Sequence, residues 1–106
     1  MSWIKTKRVA ELAVGTVEPV AADDDWVLVG RLEDGTLYAV EDRCSHDGAS
    51  FEGGTLDGTV LTCPHHGARF DVTTGEALSM PAVAPIEIRR IRVTDEGWVE
   101  VNVEDD

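Results

Sequence analysis

Two short stretches decide the fold: CSHDGASF at residues 44–51 and CPHHGARF at residues 63–70. Each combines a cysteine, at least one histidine and a glycine, and neither alternates apolar and polar residues as a half-buried strand does. Gly48 and Gly67 permit tight backbone turns just beyond the cysteine–histidine pairs. Both stretches are therefore predicted to be loops that hold something rather than fill a core.

The two loops supply a set of four possible metal ligands. Cys44 and His46 form the pair C-x-H, and Cys63 and His66 form the pair C-x-x-H. Sixteen residues, 47–62, separate the two pairs. Each loop therefore offers one thiol and one imidazole.

Three interpretations of this set compete. The first is a pair of buried cysteines with incidental histidines. The second is a structural Cys₂His₂ zinc site, although such sites commonly pair cysteine with cysteine and histidine with histidine. The third is a [2Fe–2S] cluster in which each loop delivers one ligand to each iron, so that two cysteines hold one iron and two histidines the other. The mixed pairs favour the third.

Length and charge limit the class of protein. The chain has 106 residues, 42% of them hydrophobic, and a formal charge of −12. This is the size of one compact domain. The acidity argues against binding nucleic-acid phosphates or an anionic membrane. No secretory signal and no apolar run of about 18 residues is visible, so the expected location is the cytoplasm, where thiols stay reduced.

The rest of the chain predicts an all-β fold, a sandwich or barrel of short antiparallel strands. The candidate strands share short length and flanking turn signals: residues 16–22, 26–32, 36–40, 59–62, 86–93 and 98–103. Asp34-Gly35 predicts a type I′ hairpin turn, Asp57-Gly58 repeats it, and residues 95–97 form a third turn. Only residues 9–14 hold a weak helical signal.

The aromatic residues are interpreted mainly as packing residues. Trp3, Trp26 and Trp98 are expected to pack rather than conduct electrons. Phe51 and Phe70 each lie seven residues after a loop cysteine, and we expect them beneath or beside the two loops.

The two motifs resemble the C-x-H…C-x-x-H signature of Rieske iron–sulfur proteins. The length, the early hairpins, Asp42-Arg43 before the first loop and the proline-bearing residues 81–85 resemble the small Rieske-type ferredoxins of bacterial aromatic-ring-hydroxylating oxygenase systems. The resemblance implies one Rieske domain over residues 1–106. It also implies an antiparallel β fold with a small inserted cluster-binding subdomain at about 43–72.

The resemblance also implies a ligand set. Cys44 and Cys63 would ligate the buried iron of a [2Fe–2S] cluster, and His46 and His66 the iron nearer the surface. Spacing alone would also permit His65 in place of His66, and the family pattern selects His66.

The implied role is electron transfer rather than catalysis. A ferredoxin of this kind accepts single electrons from an NAD(P)H-dependent flavoprotein ferredoxin reductase and passes them to a terminal oxygenase, and it binds neither nucleic acid nor membrane. Two alternatives stay open: the Rieske-type small subunit of a nitrite reductase, and a zinc-stabilised interaction domain.

We expect the cluster potential to lie near −150 mV rather than near +300 mV. High-potential Rieske proteins carry two further cysteines that form a disulfide between the loops, and a serine and a tyrosine whose hydroxyls donate to sulfur. This chain has no further cysteine, and it has Ala68 and Phe70 at the hydroxyl positions. Loss of hydrogen bonds to sulfur lowers the potential. A redox titration measures it, and a clearly positive midpoint would contradict this expectation.

Overall fold

A computed structural model describes residues 3–15, 17, 19–22, 25–44, 50–65, 67–80 and 84–102. The described strands are β1 (Trp3–Arg8), β2 (Pro19–Ala22), β3 (Asp25–Arg31), β4 (Leu37–Glu41), β5 (Thr55–Asp57), β6 (Val60–Thr62), β7 (Arg69–Asp71), β8 (Ala77–Ser79), β9 (Ile91–Val93) and β10 (Trp98–Asn102). A 3₁₀ turn, Val9–Glu11, follows β1. All strand pairs in the sheets are antiparallel. The all-β expectation is confirmed.

The strands form three sheets. The first sheet has the order β1-β10-β9, the second β2-β3-β4, and the third β5-β6-β7-β8. One apolar core, which includes Val27, Val29 and Val99, joins the first sheet to the second. Another core, which includes Leu28 and Leu61, joins the second sheet to the third. The second sheet is therefore buried on both faces.

Burial on both faces explains the sequence of β3. Residues 27–30 read VLVG and are all buried, whereas β10 alternates buried Val99 and Val101 with half-buried Trp98 and Glu100. A strand covered on both faces needs a continuous apolar run, and one with a wet face needs alternation. The continuous run of β3 therefore corresponds to a strand between two cores, and the alternation of β10 to a strand with one face in solvent.

Gly30 and Tyr38 form a close cross-strand pair in the second sheet. They are opposite each other in the β3–β4 register. A Cβ at Gly30 would lie 2.6 Å from the tyrosine ring, so the ring packs directly on the glycine. Burial raises the pKa of Tyr38 to about 12, so its phenol stays neutral at physiological pH.

Two of the predicted turns differ in detail from expectation. Leu32 donates its backbone N–H to the Thr36 carbonyl, so residues 33–35 form a three-residue turn instead of the predicted two-residue turn. Gly35, with φ of +90°, takes the left-handed position. In the next hairpin Asp57 pairs with Val60, so Gly58 and Thr59 form the loop, one residue later than predicted.

The predicted strand at residues 86–93 is divided between two sheets. Its second half, β9, pairs with β10. Its first half runs beside β4 instead, where Glu41 donates its N–H to the Glu87 carbonyl and Arg89 donates to the Ala39 carbonyl. One apolar stretch thus pairs with two partners, which apolar periodicity alone does not reveal.

The first sheet carries cations stacked on tryptophans. The Lys5 ammonium lies 4.9 Å and the Arg8 guanidinium 4.7 Å from the centre of the Trp98 ring. The Arg92 guanidinium lies 4.2 Å from the centre of the Trp3 ring. Trp3 and Trp98 therefore pack as expected, on cationic side chains of their own sheet.

Among the described residues, no helix is long and apolar enough to cross a membrane.

Candidate metal centre

The first loop is closed at its base by one carboxylate. Asp42, directly after β4, accepts hydrogen bonds from the Ser50 hydroxyl at 2.6 Å and from the Phe51 backbone N–H at 2.8 Å. Asp42 also donates its own N–H to the Trp26 carbonyl. These bonds join the two ends of the loop and fix it to β3. Cys44 follows two residues later and is fully buried.

The second loop is closed by backbone bonds. Cys63, directly after β6, donates its N–H to the Ala68 carbonyl at 2.7 Å, and Gly67 donates to the Cys63 carbonyl at 3.1 Å. Gly67 has a φ of +75°, which favours glycine. The turn leaves His65 exposed and Cys63 buried.

An aromatic pair lies in the same buried cluster as Cys44 and Cys63. The rings of Phe51 and Phe70 lie edge to face with centroids 5.6 Å apart, and both are fully buried. A Cβ at Gly54 would overlap the Thr62 carbonyl oxygen and would lie 3.3 Å from the Pro64 ring. Only glycine therefore lets the chain after the first loop approach the second loop so closely. Phe51 and Phe70 occupy the positions that we expected for them.

The turn after β7 fixes the third sheet to the rest of the fold. The Asp71 carboxylate accepts from the Thr73 hydroxyl and N–H, and Gly75 donates its N–H to the Asp71 carbonyl. Ile86 donates to the Gly75 carbonyl at 2.8 Å. Gly75 has a φ of +81°, and a Cβ there would overlap the Ile86 carbonyl oxygen. This contact ties the sheet that carries the second loop to the segment beside β4.

Two of the four candidate ligands are thus placed by the structure. Cys44 and Cys63 belong to one buried apolar cluster, together with the phenylalanine pair. Both cysteines of the chain are described, and neither forms a disulfide. His46 and His66 lie outside the described residues, as do residues 81–83 of the expected proline-bearing loop. Within the described part of the chain, no three potential ligands form a group.

The closure of the first loop by Asp42 and Ser50 was not predicted from the sequence, where Asp42 was only a residue that leads into the loop. The sequence does contain an indication of this closure, because an aspartate directly before a loop and a serine at its end can join the two ends through their side chains. Trp26 was also misjudged, because it is 59% exposed rather than packed.

Comparison with known proteins identifies the family. Residues 2–94 match the Rieske [2Fe-2S] domain. The chain belongs to the Rieske [2Fe–2S] family. This Rieske chain is 36% identical over 96 residues to the 3-phenylpropionate/cinnamic acid dioxygenase ferredoxin subunit of Photorhabdus laumondii subsp. laumondii, covering 90% of each chain.

Solved structures of Rieske proteins share its fold. One is a chain in the complex of reduced oxygenase and oxidized ferredoxin in carbazole 1,9a-dioxygenase, with a TM-score of 0.88 and 36% identity over 98% of this chain and 95% of that one. Another is a Mycobacterium tuberculosis protein described as the small subunit of an NADH-dependent nitrite reductase. It has a TM-score of 0.83 and 27% identity over 98% of this chain and 97% of that one. The antiparallel Rieske fold is therefore confirmed.

The family implies a Rieske-type [2Fe–2S] cluster, and the described residues fit it. Two buried thiols from two loops, in one apolar cluster and without a disulfide between them, are the donors that a buried iron requires. Without a metal, buried thiols stay protonated and pack as small apolar groups. The family model that matches residues 2–94, and not the burial of the thiols, is what implies a bound cluster.

We predict that Asp42→Ala loosens the first loop and with it the cluster. The substitution removes two hydrogen bonds to a charged group, each of which contributes about 1.5–3 kcal/mol. We expect faster loss of iron and sulfide under chelator, followed by visible circular dichroism. Asp34→Ala is the matched control, because the Asp34 carboxylate also accepts a backbone N–H, from Thr36, in an exposed turn of the second sheet. Equal cluster lifetimes in the two variants would contradict the role given to Asp42.

Proposed function

We propose that this chain is a dissociable electron carrier that takes single electrons from an NAD(P)H-dependent flavoprotein reductase and passes them to a terminal oxygenase. The observation that carries this proposal is the similarity to a dioxygenase ferredoxin subunit over nine-tenths of both chains. The similar ferredoxin solved with its oxygenase supports the second half of the route. Rieske ferredoxins are electron carriers and not catalysts, so the bond chemistry belongs to the oxygenase.

We further propose that Cys44, His46, Cys63 and His66 hold the cluster. The bound cluster supplies reversible one-electron chemistry. Cys44 and Cys63 lie in the apolar interior, where they would hold the inner iron. His46 and His66 follow them in the same loops and would hold the outer iron. The loops then make residues 43–72 the cluster-binding subdomain, a boundary that stays a prediction.

The residues around the proposed cluster have different roles. Phe51 and Phe70 exclude water from the side of the two cysteines, since both rings are fully buried there. The hydrogen bonds of Asp42 and Cys63 hold the loops in one shape, which limits reorganisation when the charge of the site changes. The carrier is assigned to the cytoplasm, where a reductase that uses NAD(P)H would also operate.

The ligand assignment predicts that His66→Ala destroys or alters the Rieske signature. One iron would lose an imidazole, so the visible and EPR spectra of the purified protein should change or vanish. His65→Ala is the matched control, because His65 is the adjacent histidine and is exposed. We expect that control to retain the spectra. Unchanged spectra in His66→Ala, or their loss in His65→Ala alone, would overturn the assignment.

A second function is favoured by one specific observation. The protein described as a nitrite reductase small subunit shares the fold over nearly the full length of both chains. In that role the cluster would serve one large catalytic subunit permanently. Interfaces of permanent complexes are larger and more apolar than those of transient electron-transfer pairs.

Reconstituted electron transfer tests the carrier proposal. With NAD(P)H and a flavoprotein ferredoxin reductase, the oxidised protein should be reduced in stopped-flow absorbance, and added terminal oxygenase should reoxidise it. Turnover should rise with carrier concentration to a plateau, because a free carrier shuttles between partners. Co-purification in a stable complex with a large reductase subunit, with no turnover as a free component, would replace the carrier by the nitrite reductase function. A colourless protein that contains zinc and no sulfide would refute both.

A further inference from the structure

Trp26 is the one large aromatic side chain that the described residues leave mostly in solvent, at 59% exposure. It lies near the start of β3 and lines two surface grooves. The first groove has a volume of about 420 Å³ and is also lined by Pro19, Asp42, Ser50 and Glu52. The Trp26 indole is therefore open to a group that binds in either groove.

The second groove, of about 350 Å³, is lined mainly by charged residues. Taken together, the two grooves contain five carboxylates and two guanidinium groups, those of Asp25, Glu41, Asp42, Glu52, Glu87, Arg43 and Arg89. Arg89 already pairs with Glu87 at 2.8 Å. The surface around the indole therefore carries a negative formal charge, which attracts a cation.

This surface is continuous with the first loop of the metal centre. The Trp26 carbonyl accepts the N–H of Asp42, and the Asp42 carboxylate holds Ser50 and Phe51. Asp42 and Ser50 also line the first groove. A group that binds beside Trp26 thus contacts the residues that close the loop of Cys44.

The chemistry of the surface selects its occupant. A guanidinium is planar, stacks on an indole face and pairs with carboxylates in its own plane. One guanidinium can therefore contact the Trp26 ring and the surrounding carboxylates at the same time. A second copy of this chain is disfavoured, because both copies carry a formal charge of −12. Trp3 and Trp98 do not offer the same site, since cations of this chain already cover them.

We propose that Trp26 and its surrounding carboxylates form a side docking site for an arginine presented by a redox partner protein. The site lies beside the first loop and adds a contact to the exchange of electrons at the cluster. The identity of the partner rests on the proposed function, whereas the recognition of arginine rests on the grooves alone.

A peptide titration of the cluster-loaded protein tests the site without any electron transfer. The probe is acetyl-Gly-Arg-Gly-Arg-Gly-amide, followed by NMR at the indole N–H of Trp26 and at the Glu52 and Glu87 amides. We expect saturable shifts at these groups, with the indole signals of Trp3 and Trp98 unmoved. The lysine analogue should bind more weakly. Shifts spread evenly over the acidic surface, or lysine binding equal to arginine, would overturn the proposal.

Variants separate the indole from general acidity. Trp26→Ala should weaken peptide binding about three-fold, the scale of an exposed cation–π contact. Val93→Ala is the matched control, because Val93 is an exposed apolar residue (48%) on the first sheet, away from both grooves. It should bind as the wild type does. Both variants should keep the visible circular dichroism of the cluster, since neither residue belongs to the metal centre. Equal peptide affinity in Trp26→Ala and wild type would overturn the proposal.

The partner assay completes the test. In the reductase and oxygenase assays, Trp26→Ala should raise KM for the carrier about three-fold in at least one of them and leave kcat unchanged. Unchanged KM in both would overturn the role of this site in docking. If the wild-type protein binds the peptide at Trp26 but exchanges electrons with neither partner, the proposed function fails and the arginine site stands.

Discussion

The edge-to-face contact between Phe51 and Phe70 is the interaction on which the metal centre depends. Phe51 ends the first loop and Phe70 lies in β7, just after the second loop. Since both rings are fully buried and in contact, their packing joins the end of the first loop to the strand that follows the second loop. Such a pair contributes about 0.5–1.5 kcal/mol beyond the area it buries. Its greater effect is geometric, because Cys44 and Cys63 belong to the same buried cluster.

The loops are held without a disulfide, by three contacts of different kinds. A carboxylate closes the first loop at Asp42, a backbone bond between Cys63 and Ala68 closes the second, and the side-chain-free Gly54 lets the two approach. Each contact restrains one loop or one approach. A disulfide would restrain both loops through a single bond, and would require two further cysteines besides Cys44 and Cys63, which this chain lacks. No single contact holds both loops, so each of the three contacts can be removed separately by substitution.

The sequence predicted the kind of fold better than its detail. Alternation in β10 and the continuous apolar run in β3 have a direct physical cause in one-sided and two-sided burial, so these two strands were placed to within a residue. Four short strands, β1, β5, β7 and β8, were not predicted, and β7 begins inside the stretch 63–70 that was predicted to be a loop. The split of residues 86–93 between two sheets was not predictable, because pairing partners depend on long-range contacts that periodicity does not encode. In the candidate metal centre, the structure places Cys44 and Cys63 in one buried cluster, and their role as ligands stays a prediction. The exposure of Trp26 was missed because an indole in an apolar strand is usually part of a core.

The charge of the chain is unevenly distributed, and this bears on how a carrier meets its partners. Five of the nine basic residues lie on or beside the first sheet: Lys5, Lys7, Arg8, Arg90 and Arg92. Residues 1–15 and 90–106, which include the first sheet, have five basic and seven acidic residues, whereas residues 16–89, which include both loops, have four basic and fourteen acidic residues. A molecule polarised in this way turns in the field of a basic partner before contact, so that its acidic side leads. Long-range charge then favours the approach orientation, and short-range contacts near the loops need only be strong enough to hold the pair during electron exchange. In the proposed role, weak contacts would also let the carrier leave quickly, as a shuttle between two partners requires.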